Sequence, residues 1–137
     1  MCWVEGNFYL VVGGEDRVVT KYNPRTNTWR NVQTLQQKRY GHSVCTLDQK
    51  IFVLGGLDNT CEMLDLSDDD PQWRYIAEMN SRHYLGGAVV VEKKIYVMGG
   101  KDTFNIVDVY HVDQGNLMKK RQKVLKIAIS QAKDESQ

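Results

Sequence analysis

The feature of this sequence that most constrains its fold is a pair of glycines that recurs at a nearly constant distance. Each pair follows a short run of β-branched and aromatic residues, and successive pairs lie 42 and 44 residues apart. The three pairs are Gly13-Gly14, Gly55-Gly56 and Gly99-Gly100. A fixed period of this length indicates several copies of one supersecondary unit. The 137 residues are therefore interpreted as repeats of one unit.

Two further markers keep the same period. Trp29 and Trp73 lie 44 residues apart, and each follows a glycine pair by a similar distance. The segments 38–42 and 82–86 align without gaps at the same offset of 44. Three markers with one period are far more specific than a single short motif.

Within each unit, short apolar runs are bounded by Gly, Asn and Asp, which is typical of antiparallel strands joined by turns. In the middle unit the strands are predicted at 43–48, 51–55, 61–66 and 73–77. A four-stranded meander of about 40 residues is one blade of a β-propeller. The sequence predicts an all-β, partial propeller in residues 1–116, with blades at about 5–35, 36–79 and 80–116. Blade 1 is expected to lack a proper innermost strand.

The repeated glycines and tryptophans are assigned structural roles. Each glycine pair ends a second strand, where the chain turns and glycine tolerates backbone angles that a Cβ would forbid. The two tryptophans fall on the fourth strand, and the large apolar area of the ring favours packing between blades.

Residues 117–137 form a basic C-terminal tail. Five positive charges occur within 119–126, and apolar residues at helical spacing favour a short amphipathic helix. The apolar positions are Val124, Leu125, Ala128, Ile129 and Ala132. An alternative is that 124–129 is extended and supplies a strand at an open edge of the sheet.

The repeat resembles the kelch repeat. The resemblance covers residues 5 to about 113 and rests on the apolar strand before each glycine pair, on Tyr22 with Asn23-Pro24, on Trp29 and on Arg39. The segments 78–82 and 94–102 are most similar to the kelch domains of BTB-kelch, or kelch-like, proteins. Propeller rings use four to eight blades, and at most three are present here. We therefore expect a fragment, a truncated product or a splice form, with open edges that invite self-association.

No catalytic, metal or cofactor site is predicted. The net charge of +1 favours neither a nucleic-acid nor a membrane partner. Cys2, Cys45 and Cys61 form no CxxC pair, which fits reduced thiols in a cytoplasmic protein, with the nucleus as a second location. The three histidines lack metal-ligand spacing, and the acidic stretch 65–70 lacks the glycine and the distal glutamate of a calcium loop.

The candidate site is a rim of loops on one face of the blades. Loops that leave the second strand and loops that enter the first strand gather there, and function usually resides on such loops. Tyr and Arg often contribute most to interface energy, although an equally weighted alternative gives Arg39 a role in stabilising the blades. The predicted partner-binding residues are Arg17, Arg39, Tyr40, Asp58, Asn59, His83, Tyr84, Lys101, Asp102 and Phe104.

The resemblance implies a non-catalytic module that binds a peptide segment of a protein partner. In the kelch-like group it implies recognition of the substrate for a cullin-type ubiquitin ligase, contacted through a BTB region that these residues do not contain. The alternatives are a kelch protein that binds actin or another cytoskeletal partner and, third, a kelch-fold oxidase that would need bound copper.

Overall fold

The computed structural model describes residues 1–112 and the strand at 118–124, and this part of the chain consists of strands and turns. Twelve strands form three antiparallel sheets of four strands each, and strands that are consecutive in sequence pair within each sheet. The all-β partial propeller predicted from the sequence is confirmed. Among the described residues there is no helix with the length and hydrophobicity that crossing a membrane requires.

Each sheet is one blade, and its strands run in sequence order from the innermost to the outermost. Blade 1 contains β1 (Cys2–Val4), β2 (Asn7–Gly13), β3 (Val18–Asn23) and β4 (Thr28–Asn31). Blade 2 contains β5 (Ser43–Leu47), β6 (Lys50–Leu54), β7 (Cys61–Asp65) and β8 (Arg74–Ile76). Blade 3 contains β9 (Gly87–Val91), β10 (Lys94–Met98), β11 (Ile106–Val112) and β12 (Met118–Val124).

The strands of blade 2 lie within one residue of those predicted, but both ends of the chain need correction. Blade 1 does have an innermost strand, because Cys2–Val4 pairs with β2. The segment Met118–Val124, which was placed in a tail that favoured a helix, pairs with β11 as the fourth strand of blade 3. The free hydrogen-bonding edge of β11 explains this pairing. Residues 125–137, on which the rest of the helix prediction falls, lie outside the described residues.

Two apolar cores lie between neighbouring blades. The core between blades 1 and 2 includes Tyr9 and Val11 from one side and Ile51, Val53 and Trp73 from the other. The core between blades 2 and 3 joins further apolar side chains of β6 and β7 to those of β10 and β11. Alternate residues of β6 therefore point to opposite neighbouring blades, as the period of two in a β-strand requires.

The two tryptophans behave differently although they occupy equivalent positions. Trp73 is 2% exposed, and its Nε1 donates a hydrogen bond to Gln33 O at 2.8 Å, so it packs between blades 1 and 2 as predicted. Trp29 is 59% exposed and contacts the ring of Tyr22 at a tilt of 32°, with ring centroids 4.6 Å apart. The prediction of packing between blades is wrong for Trp29 in this structure, because its face of blade 1 has no neighbouring blade among residues 1–112.

Candidate functional site: the rim of loops

Two sets of loops meet on one face of the blades. The second-strand loops, at 13–17, 55–60 and 99–105, follow the second strand of each blade, and the first-strand loops, at 36–42 and 80–86, lead into β5 and β9. Gly14 N–H donates to Arg39 O at 2.9 Å, and Gly56 N–H donates to Arg82 O at 3.0 Å. Each first-strand loop thus lies on the second-strand loop of the preceding blade. We call this continuous surface the rim.

Close backbone contact holds the rim together and explains at least one glycine of each pair. A Cβ on Gly56 would lie 2.5 Å from Tyr40 O, and a Cβ on Gly100 would lie 2.6 Å from Tyr84 O. Both residues also have positive φ angles, 111° and 101°. Any other residue would push the two sets of loops apart.

Arg39 was predicted to contact a partner, but the structure places it in the interior, which agrees with the alternative of a stabilising role. Its side chain is 1% exposed. Nε donates to Glu62 Oε2 at 2.9 Å, and Nη1 donates to Gly55 O at 3.0 Å and to Thr60 O at 2.8 Å. The guanidinium therefore satisfies oxygens that the second-strand loop of blade 2 turns inward.

His83 is the equivalent of Arg39 in blade 3, and the structure places this predicted partner-binding residue in the interior as well. The side chain is 0% exposed. Nδ1 lies 2.8 Å from Gly99 O, and Nε2 lies 2.8 Å from Asp108 Oδ2. Gly99 and Asp108 occupy the positions of Gly55 and Glu62, so one polar arrangement is built twice from different residues.

Three other predicted residues brace the loops. Asn59 Nδ2 donates to Met79 O at 2.7 Å, and Arg17 Nη1 donates to Gln36 O at 3.1 Å. Asp58 accepts hydrogen bonds from Thr60 N and Oγ1 in a tight turn. Partial burial of this carboxyl opposes ionisation, but the hydrogen bonds and the charge of Arg39 outweigh it, so the pKa of Asp58 lies below its ordinary value.

The remaining predicted residues present side chains at the surface. Phe104 is 74% exposed, and Tyr40, Lys101 and Asp102 are exposed as well. Tyr84 is half-buried, because its ring lies against Gly41. The rim thus brings these five side chains to one face, whereas it buries Arg39 and His83 beneath them.

Tyr40 belongs to a small polar cluster on this face. Its hydroxyl donates to Glu15 Oε1 at 3.1 Å, and Lys38 forms an ion pair with the same carboxylate. The hydrogen bonds from Lys38 and Tyr40 hold the pKa of Glu15 below its ordinary value, and the carboxylate raises the pKa of Tyr40 in return. The cluster ties the first-strand loop of blade 2 to the second-strand loop of blade 1.

Two exposed leucines on the rim were not among the predicted binding residues. Leu57 follows the second glycine pair, and Leu85 lies in the first-strand loop of blade 3. Leu85 is 67% exposed and has a φ of 61°, in the left-handed region that disfavours leucine. The aligned residue in blade 2 is Gly41, with a φ of 64°. The alignment of the repeats therefore contained a signal for Leu85, because a leucine replaces glycine at a position where the backbone is left-handed.

Among residues 1–112 no three His, Cys, Asp or Glu side chains come together as a metal site. Burial raises the pKa of Cys45 to about 12 and that of Cys2 to about 11, which leaves both thiols protonated and poorly nucleophilic.

Comparison with known proteins gives partial matches of one kind. The family model of the Kelch motif matches residues 38–80. Kelch-like protein 21 of Homo sapiens is 40% identical over 48 residues, which cover 35% of this chain and 8% of that protein. Kelch-like protein 22 of Homo sapiens is 33% identical over 63 residues, covering 40% of this chain and 10% of that protein.

A plant relative and a solved structure extend the comparison. A putative F-box/kelch-repeat protein of Arabidopsis thaliana is 51% identical over 35 residues, which cover 26% of this chain and 12% of that protein. The chain thus spans about a tenth of the length of these relatives. The structure of YjhT superposes with a TM-score of 0.60 at 13% identity, covering 74% of this chain and 39% of that one, so it shows the fold alone. Together with the three four-stranded blades, these matches support the presence of kelch repeats in this chain, with the Kelch motif itself matched at residues 38–80.

Proposed function

We propose that the rim binds a segment of a protein partner and that the chain acts without catalysis. The observation that carries this proposal is the conformation of Leu85. A left-handed backbone costs a residue with a Cβ about 1–2 kcal/mol, and an exposed leucine recovers little of that by burial. Strain of this kind is concentrated at functional sites. A partner that buries the Leu85 side chain would offset the free-energy cost of its left-handed conformation.

The chemistry of the neighbouring side chains supports the same role. Exposed apolar side chains follow one another along the rim, namely Tyr40, Leu57, Leu85 and Phe104. Charged side chains stand between them, including an ion pair of Arg82 with Asp102 at 3.6 Å. Apolar anchors surrounded by polar groups are typical of protein interfaces.

The buried layer supports binding by a preformed surface. Arg39 and His83 fix the loops from below through hydrogen bonds to Gly55 O and Gly99 O. A surface that is ordered before binding loses less conformational entropy when a partner arrives.

We further propose that the bound segment belongs to a substrate of a cullin-type ubiquitin ligase. The similarity to Kelch-like proteins 21 and 22 supports this assignment. The rim would hold the substrate, and a BTB region outside residues 1–137 would contact the ligase.

Selection of a phage-displayed peptide library on the 137-residue chain tests binding at the rim. We expect enriched peptides to bind the wild-type chain and to lose at least tenfold in affinity for Phe104→Ser. The matched control is Gln49→Ala, which lies on the turn between β5 and β6 at the opposite ends of the strands and should bind as the wild type does. Peptides that bind both variants equally would place the binding surface elsewhere.

The variant Leu85→Gly separates binding from folding. Because glycine accepts the left-handed conformation, we expect the free energy of unfolding to stay the same or to rise by up to about 1 kcal/mol. Affinity for the selected peptides should fall, because the side chain is gone. Urea unfolding and peptide titration measure the two effects. A loss of stability above about 1 kcal/mol would instead make Leu85 part of the fold.

The link to degradation needs a separate measurement. Proximity labelling in cells with the wild-type chain, and with Phe104→Ser as the control, identifies proteins that depend on the rim. If the rim recognises ligase substrates, the half-lives of these proteins lengthen when cullins are inhibited. Unchanged half-lives would leave the binding role intact and reject the ligase.

A further inference from the structure

The outer face of blade 1 is apolar, aromatic and exposed. Four aromatic side chains, one from each strand, form a row of rings: Trp3, Phe8, Tyr22 and Trp29. The ring centroids lie 4.6 Å apart for Trp3 and Phe8, 6.4 Å for Phe8 and Tyr22, and 4.6 Å for Tyr22 and Trp29. Leu10 lies beside this row and lines an apolar hollow with it. We call Phe8, Leu10, Tyr22 and Trp29 the blade 1 end face. Aromatic rows of this kind are characteristic of interfaces.

This face is the positional copy of a face that is already buried inside the chain. Phe8 pairs with Tyr22 across β2 and β3, just as Ile51 pairs with Leu64 across β6 and β7. The side chains equivalent to the blade 1 end face are Ile51, Val53, Leu64 and Trp73, all of which pack in the core between blades 1 and 2. The partner that fits the blade 1 end face is therefore the opposite face of another such blade.

Blade 3 exposes the part of that opposite face that lies on β9 and β10. Val89 pairs with Tyr96 across β9 and β10, just as Cys45 pairs with Phe52 in blade 2. Val89, Val91, Tyr96 and Met98 form the blade 3 end face, and all four are half-buried or exposed. Val109 and Val107, which pair with Tyr96 and Met98 on the same face, are buried. Their equivalents in blade 2 are Cys45, Leu47, Phe52 and Leu54, which pack against blade 3.

Within the chain, a face equivalent to the blade 1 end face packs on a face equivalent to the blade 3 end face in each of the two cores between blades. We propose that a second copy of this chain covers both end faces. The blade 3 end face of each copy packs on the blade 1 end face of the other, and the two identical contacts close a ring of six blades. Six lies within the four to eight blades of known propellers. A head-to-tail contact that closes in this way gives a finite dimer.

The mass of the full 137-residue chain in solution tests the proposal. Multi-angle light scattering and native mass spectrometry at micromolar concentration should give twice the 15.8 kDa of one chain. A 15.8 kDa species would overturn the proposal, including the case in which residues 125–137 of the same chain cover the blade 3 end face. Open polymers would overturn the closed ring.

Single substitutions then test which faces meet. Leu10→Asp and Val89→Asp each place a charge at an exposed position of one end face, so both chains should fold, with the wild-type circular dichroism spectrum, and be monomers. The matched control Leu57→Asp lies on the rim and should remain a dimer. Loss of the dimer with only one of the two variants would show that like faces pair and would overturn the head-to-tail arrangement.

A mixture of the two monomeric variants provides a second measurement that does not depend on the wild-type chain. The blade 1 end face of the Val89→Asp chain and the blade 3 end face of the Leu10→Asp chain are both intact. Head-to-tail packing therefore predicts a mixed dimer held by one contact, with weaker affinity than the wild type. Absence of any mixed dimer at high micromolar concentration would contradict the proposal.

Discussion

Two buried polar pairs perform one task at equivalent positions of neighbouring blades. Arg39 with Glu62 and His83 with Asp108 each join a first-strand loop to the third strand and to the carbonyl of a rim glycine. Arginine and histidine differ in size and in the number of donors, yet each reaches the carbonyl and the carboxylate at two equivalent positions of its blade. What the two positions share is therefore the pair of acceptors that each side chain contacts. Comparing arginine with histidine in the sequence does not reveal this similarity.

The Arg39 pair should be essential for folding. Replacement by alanine leaves the buried Glu62 carboxylate without its charged partner, so we expect Arg39→Ala to lower the free energy of unfolding by about 3–5 kcal/mol. The double variant Arg39→Ala/Glu62→Ala should cost less than the sum of the single variants, because both members of the pair are removed. Urea unfolding measures each value, with the exposed Arg30→Ala as control. An additive double variant would show that the two side chains do not interact.

His42 should make stability depend on pH. Burial holds its pKa below the ordinary value of 6.5, although the hydrogen bond to Val11 O partly opposes this. As the pH falls through 6.5, the unfolded chain takes up the proton first, so this contribution to stability is present above that pH and is lost below it. An NMR titration of the histidine Cε1–H signals, assigned with His42→Gln, checks the direction. A midpoint at or above 6.5 would contradict it.

At the scale of the strand, equivalent tryptophans should contribute unequally to stability. Trp73→Ala removes a buried ring between blades and should cost about 3–5 kcal/mol. Trp29→Ala removes an exposed ring that contacts Tyr22 and should cost about 1 kcal/mol in a monomer. Measuring both in the Leu10→Asp chain excludes any contribution from association. Equal costs would mean that exposure does not distinguish the two sites.

Strands were predictable where side chains alternate and were missed where they do not. The strands β5, β6 and β7 lie in apolar runs bounded by turns, and their predicted limits agree with the structure to within one residue. By contrast, β1 has only three residues, too few to show a period of two. The sequence of β12, Met-Lys-Lys-Arg-Gln-Lys-Val, has no apolar alternation, and only pairing with β11 makes it a strand.

At the scale of the whole molecule, the blades depend on their neighbours. The two apolar cores lie between adjacent blades, so each blade buries its faces only against the next. Blade 2 is covered on both sides, whereas within the described part of the chain blades 1 and 3 are each covered by a blade on one side only. Stability in such arrays is approximately a sum of repeat and interface terms.

This dependence predicts that association raises thermal stability. If two copies close a ring, the Tm of the wild-type chain should rise with protein concentration, because dimerisation stabilises only the folded state. The Tm of Leu10→Asp should not change over the same range. Scanning calorimetry from 2 to about 200 μM checks both expectations. A wild-type Tm that is independent of concentration would contradict association in this range.

The sequence by itself determined the repeat, the blade and the family resemblance, because glycine pairs, tryptophans and apolar alternation are local signals with a fixed period. Only the tertiary structure decided which side chains of the rim face the solvent. Arg39 and Tyr40 are adjacent in sequence, yet one lies beneath the rim and the other on it. The difference depends on acceptors 16 to 23 residues away, at Gly55 O and Glu62, and no local pattern in the sequence records such contacts.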